Sequence, residues 1–146
     1  MRLLVVAVLA ALIAACSTVP SGPDDGWIEP VDAIRAANND PLYGLRGHFV
    51  LTVKAIGSQG GWTYLNSEAD YRDQRCLTVR MPTSMIPKLE QRVGATLQEV
   101  KGRRIVVLGV ARRVRIDLNS NGRPTGKYYY QTQIQADSPT QVEFAD

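Results

Sequence analysis

Histidine is almost missing from this chain: His48 is the only one in 146 residues. Histidine-based triads therefore lack a second candidate, and a histidine-rich metal site is excluded. A lone histidine on a strand is far more often a surface residue than a base. No Gly-rich loop precedes a helix, so a phosphate cradle has no candidate either. The carboxylates of Glu68, Asp70 and Asp73 crowd one polar turn, where solvation and turn chemistry account for them. Charge of either sign is scarce in excess, with a formal net charge of +3, so electrostatic arguments must rest on local patches. No internal repeat is visible. These absences read against an enzyme, and no cofactor is expected.

Long apolar runs are also scarce, and the one present is at the start. Met1–Arg2 is a short basic head, and Leu3 to Ala15 is unbroken apolar sequence. That run is too short to span a bilayer as a mature helix and ends in small residues, so 1–15 reads as a signal-peptide core. Leu12-Ile13-Ala14-Ala15 before Cys16 resembles the bacterial lipobox. The resemblance implies diacylglyceryl transfer to the Cys16 thiol, cleavage before it, and acylation of the new terminus. Two or more acyl chains make a stable anchor, at about 0.8 kcal/mol per buried CH₂. Ser17 rather than aspartate follows the cysteine, which by the same resemblance implies the outer membrane, with the protein facing the periplasm.

With Cys16 lipidated, Cys76 has no partner, and the fold must stand on its core without a disulfide. Residues 16–26, rich in Ser, Pro, Gly and Asp, read as a tether. Residues 27–42 hold a short helix from Pro30 to about Ala37, with Val31 and Ile34 as its apolar edge. The folded domain is expected over 43–146.

That domain is organised around Lys101 to Leu118, the longest strand-like run. Val106, Leu108, Val110, Val114, Ile116 and Leu118 fall on one side, and Ile105, Val107, Gly109, Ala111, Arg113 and Arg115 on the other. Gly109 and Arg112–Arg113 are candidates for a bend or bulge. The partner strands are Leu45–Ile56, Trp62–Asn66, Arg75–Met81 and Lys127–Ala136. Met85, Leu89, Val93 and Leu97 recur every four residues, which marks a helix capped by Thr83 or Ser84, with Gly94 a weak point and Gly102 a stop. The order strand-strand-strand-helix-strand-strand resembles the OB fold, a five-stranded Greek-key barrel, all-β with one helix. GGWTYLNSEADYRDQRCLTVRM, VKGRRIVVLGVAR and the closing PTQVEF are similar to OB domains of bacterial envelope and secreted proteins.

Two site readings follow. Asp117-Leu118-Asn119-Ser120-Asn121-Gly122 fits half of a calcium loop, but the closing position holds Tyr128, so a hairpin loop is preferred and no metal is expected. The other reading is a face. With Leu65 inward, Trp62, Tyr64 and Asn66 point outward, beside Arg80, Arg113, Arg115 and Tyr129. Rings interleaved with arginine serve single-stranded nucleic acid, oligosaccharides and peptides alike. The expected partners are the membrane, through the lipid, and an envelope protein or glycan. Single-stranded nucleic acid is the rival, disfavoured by the small net charge and the nearby acids, and a purely structural assembly subunit, which needs no groove, is the third reading.

Overall fold

A computed structural model describes residues 26–145; the signal segment, Cys16 and the tether up to Asp25 lie outside the described residues. Among the described residues the protein is mostly β, with eight strands in one sheet and short helices. In chain order these are β1 (Trp27–Ile28), α1 (Pro30–Asn39), β2 (Leu45–Thr52), β3 (Ala55–Gln59), β4 (Trp62–Asn66), β5 (Leu77–Pro82), α2 (Ile86–Val93), α3 (Leu97–Val100), β6 (Arg104–Ser120), β7 (Arg123–Gln135) and β8 (Val142–Phe144). Among the described residues no helix is long and apolar enough to cross a membrane.

Hydrogen bonding runs β1-β2-β6-β7-β5-β4-β3, with β8 added to β6. β2, next to one end of that order, and β3, at the other end, are halves of one extended segment parted only by Val53 and Lys54. The single strand expected over 45–56 is thus divided between two neighbours. Residues 45–52 pair with β6 and 55–59 with β4, so the sheet returns on itself. At the joint, the Val53 N–H donates to the Arg103 carbonyl at 3.0 Å, the Gly102 N–H to the Val53 carbonyl at 2.7 Å, and the Lys54 N–H to the Asn66 carbonyl at 2.8 Å. These bonds satisfy both backbone groups of Val53 and the Lys54 N–H where the chain changes partner. The parallel β5–β7 pair and the antiparallel β6–β7 hairpin supply the remaining ladders.

The inner face of this sheet is apolar. Phe49, Leu51, Leu65, Leu77, Val79, Met81, Ile105, Val107 and Ile134 are buried together, with Ile86, Leu89 and Val100 from the helices. Each such side chain contributes about 1.5–3 kcal/mol on burial. Residues 27–42 share this core: β1 pairs in parallel with β2, and α1 places Ala33 in it. Here the expected apolar edge is corrected. α1 packs on its small residues, Ala33 and Ala37, while Val31 is exposed and Ile34 half-buried, because alanines let a helix backbone lie close to the sheet.

The α2 region differs in its ends. Thr83 and Ser84 make no side-chain cap; the Thr83 hydroxyl is 2.9 Å from that of Thr63 instead. Gly94, at φ 69°, ends α2 in the left-handed conformation that glycine adopts freely, and Thr96 starts α3 with a capping box closed by Glu99.

The long strand is corrected most. Pairing runs unshifted through Gly109 and Arg112–Arg113, and the register irregularity falls between Asp117 and Asn119. Gly109 serves close packing: a Cβ there would lie 2.6 Å from Ile134 Cγ2. The turn is also tighter than the sequence suggests. Asn121 and Gly122, both with positive φ, join β6 to β7 as a two-residue hairpin turn. The half calcium loop is part of this hairpin, and its Asp117 accepts from Arg115 at 2.9 Å.

Candidate functional site

The outer face of β4, β5, β7 and β6 is a shallow cleft, and alternation decides what lines it. On β4, buried Leu65 faces inward and Trp62, Tyr64 and Asn66 face outward, as the sequence indicated. On β5, Leu77, Val79 and Met81 are core residues, which puts Thr78 and Arg80 outward. Tyr64 lies directly opposite Arg80, whose guanidinium carbon sits 3.6 Å from the centre of the Trp62 ring. Asn66 is fixed by Thr78, whose hydroxyl donates to its side-chain oxygen at 2.8 Å. On β7, Ile134 and Thr132 face inward, so Tyr129, Gln131, Gln133 and Gln135 face the cleft.

Arg113 and Arg115 are not part of this face. The core side of β6 carries Ile105, Val107, Gly109 and Ala111, and Arg113 and Arg115 continue that side beyond the core. There they stack on β7: Arg113 lies 3.5 Å above the Tyr130 ring and Arg115 4.1 Å above Tyr128, and the two rings meet edge-on at 5.7 Å. The physical reason is the close approach at Gly109. The core side had to be small there, and the larger Leu108 and Val110 went outward. Arg112 is consequently the β6 arginine on the cleft face, opposite Gln133.

The cleft has two recesses. The first, of about 290 Å³, is walled by Tyr64, Asn66, Tyr71, Tyr129, Gln131 and Gln133, with Gly57 to Gln59 of β3 at its edge. No charged side chain lines it. Its floor is a wired chain: the Gln133 amide donates to the Gln131 side-chain oxygen at 2.6 Å, and the Gln131 amide to the Tyr71 carbonyl at 2.7 Å. Burial is the main cause that raises the Tyr129 phenol above its ordinary pKa. The second recess, of about 520 Å³, has Leu108, Val110 and Val114 on its floor and Arg46, Arg80 and Arg112 around it. Gln133 borders both.

The acids counted near this face are each spent locally. Glu68 accepts from Lys54 at 2.8 Å, Asp70 from Arg72 at 3.1 Å, and Asp73 from Arg75 at 2.8 Å. The Arg75 hydrogen bonds lower the Asp73 carboxyl to a pKa of about 2. His48 is exposed on β2, and Cys76 is a buried free thiol. Sequence reasoning missed Arg46, Tyr71 and Arg112 and read the glutamines only as a wet face. The signal for the glutamines was available, since three at alternate positions of one strand make a continuous amide row.

No family model matches this chain, and no curated protein sequence matches it. Among solved structures, it is similar to a protein assigned as an aspartyl-tRNA synthetase from Leishmania major Friedlin, at 11% identity and a TM-score of 0.43 over 92% of this chain and 23% of that one. It is also similar to the aspartyl tRNA synthetase from Entamoeba histolytica, at 9% identity and a TM-score of 0.37 over 70% of this chain and 18% of that one. The chain thus spans about a fifth of the length of these proteins.

Proposed function

We propose that this chain is a non-catalytic lipoprotein, held by lipid on Cys16 in the outer membrane and facing the periplasm, whose OB-like barrel binds another envelope component in the outer cleft. The pairing order supports the OB reading. β2 and β3 together act as the first strand, β4 and β5 as the second and third, and β6 and β7 as the fourth and fifth, with α2 after the third. β1 and β8, of two and three residues, are additions to that plan. OB domains bind polymers across their second and third strands, between the first and last hairpins. The observation that carries the proposal is the recess between Tyr64, Tyr129, Gln131 and Gln133, at that same place in this barrel.

Single-stranded nucleic acid is the rival occupant, and the convergence of Arg46, Arg80 and Arg112 favours it. Against it, Arg80 already covers one face of the Trp62 ring, and the first recess offers no cation to a phosphate.

The test is made in the bacterium that carries the protein. The wild type should incorporate labelled palmitate and Cys16→Ser should not. A photo-crosslinking residue at Tyr64 or Tyr129 should give adducts in the outer-membrane fraction, and one at Arg113 on the opposite side of β6 should not. An unlabelled soluble wild type refutes the anchor. Equal adducts from both faces refute the cleft.

A further inference from the structure

We infer that the cleft ligand is an acidic glycan, with an uncharged sugar unit in the first recess and a neighbouring unit bearing a carboxylate, sulfate or phosphate in the second. This rests on the binding role proposed above and names the ligand class. The two recesses lie on one face and share Gln133, so one polymer can occupy both.

The first recess suits a polyhydroxylated ring. Its walls are mostly amides and phenols, which donate and accept, with Ile116 as an apolar patch against a ring face, and it has no charge to neutralise. The amide chain from Gln133 through Gln131 to the Tyr71 carbonyl holds these groups in fixed directions. Among the described residues no donor is spent on the Gln133 side-chain oxygen, which leaves an acceptor for a hydroxyl where the recesses meet.

The second recess suits an anion. Arg46 and Arg80 make no ion pair among the described residues, and Arg112 makes only a 3.5 Å contact with the Leu42 carbonyl. The one carboxylate at its border, Asp137, accepts from the Gln135 amide at 2.8 Å. Three guanidinium groups border one recess, so an anion bound there has several charge-assisted hydrogen bonds within reach. The Trp62 ring holds the Arg80 guanidinium in place, and Arg80 Nε is buried with no acceptor. This pre-positioning lowers the ordering cost of binding. Nucleic acid fits less well because its phosphates recur at every unit, whereas the cations here are confined to one of two recesses.

The test uses the full chain in detergent and follows Trp and Tyr fluorescence with five probes: maltohexaose, a hyaluronan hexasaccharide, whose carboxylates alternate with uncharged units, a keratan sulfate hexasaccharide sulfated only on its N-acetylglucosamine units, poly-glutamate and a ten-residue oligothymidylate. One or both charged hexasaccharides should bind at least tenfold more tightly than maltohexaose at low salt. Which of the two wins separates a carboxylate from a sulfate- or phosphate-type anion. Arg112→Ala and Arg46→Ala should each weaken that binding about tenfold to a hundredfold, as expected for a lost charge-assisted bond. Arg112→Lys should keep the preference for charge. Gln131→Ala should weaken all three hexasaccharides alike, and Arg113→Ala should change none. Melting curves identify any variant that fails to fold, and Arg112→Lys keeps the test decisive in that event. Equal binding of maltohexaose, tighter binding of oligothymidylate or poly-glutamate than of every glycan, or no glycan binding each overturns the inference. The crosslinking result stands apart, so an envelope partner of another class would still be recognised.

Discussion

Replacing Gly109 with alanine tests the face assignment of β6, on which the whole cleft depends. A methyl group at this position would sit 2.6 Å from Ile134 Cγ2 and 3.7 Å from the Gln135 carbonyl oxygen. The first distance is well inside van der Waals contact, and Ile134 is fully buried, so it cannot swing away. Gly109 is not among the residues with positive φ, so its backbone tolerates alanine and the cost is steric alone. Overpacking of this kind costs about 1–3 kcal/mol. For a domain of this size the melting temperature should fall by about 4–12 °C. If β6 faced the other way, position 109 would point to solvent. Gly→Ala would then be neutral or stabilising by up to about 1 kcal/mol, so the sign of the change decides.

A double-mutant cycle sharpens the result. Ile134→Ala alone should cost about 2–5 kcal/mol, but it also removes Cγ2. Gly109→Ala added to Ile134→Ala should therefore cost little or nothing, a coupling of about 1 kcal/mol or more. The assay is urea denaturation of the full chain followed by Trp fluorescence. Additive effects, or a Gly109→Ala variant as stable as the wild type, would refute the reasoning.

Two further outcomes are expected. Arg113→Ala should lower stability by about 1 kcal/mol, since the cation–π contact with Tyr130 is set against relief of an Nε buried without an acceptor; an unchanged denaturation midpoint would count against that stack. Asp73 has a folded pKa of about 2 against an ordinary value of 3.8, so its stabilising effect is complete above 3.8 and is lost as pH falls through about 2. Carboxyl-carbon NMR should place its midpoint near 2 in the wild type and nearer 3.8 in Arg75→Ala, and an ordinary midpoint in the wild type would contradict the Arg75 hydrogen bonds.

Strand by strand, legibility followed how one-sided the pattern was. β4 and β5 alternate apolar and polar side chains around Leu65, Val79 and Met81, so the outward placement of Trp62, Tyr64, Asn66 and Arg80 could be read from those core residues, and that of Tyr129 from the parity of Ile134 on β7. β6 opens with Ile105, Val106 and Val107, all buried, which leaves its parity undetermined. The next residues then mislead: Leu108 and Val110 look like core, and Gly109 and Ala111 look like surface. Only the tertiary approach of Ile134 reverses this, and no local pattern encodes that approach. The division of 45–59 between two partners was hidden because pairing is a long-range property, and the Gly-Ser-Gln end of β3 lacks the β-branched residues that mark a strand. Arg112 was lost with the parity of its strand.

The joint at Val53–Lys54 also orders events in time. A chain emerging from its N-terminus can form β3, β4 and β5 early, because those hairpin contacts are local. β2, however, has only the two-residue β1 beside it until residues 104–111 arrive, and β5 lacks its second neighbour until residues 132–135 follow. Until then the apolar inner side of half a barrel is open, with unpaired strand edges beside it. If the chain crosses a membrane before folding, this late closure keeps it threadable for most of its length.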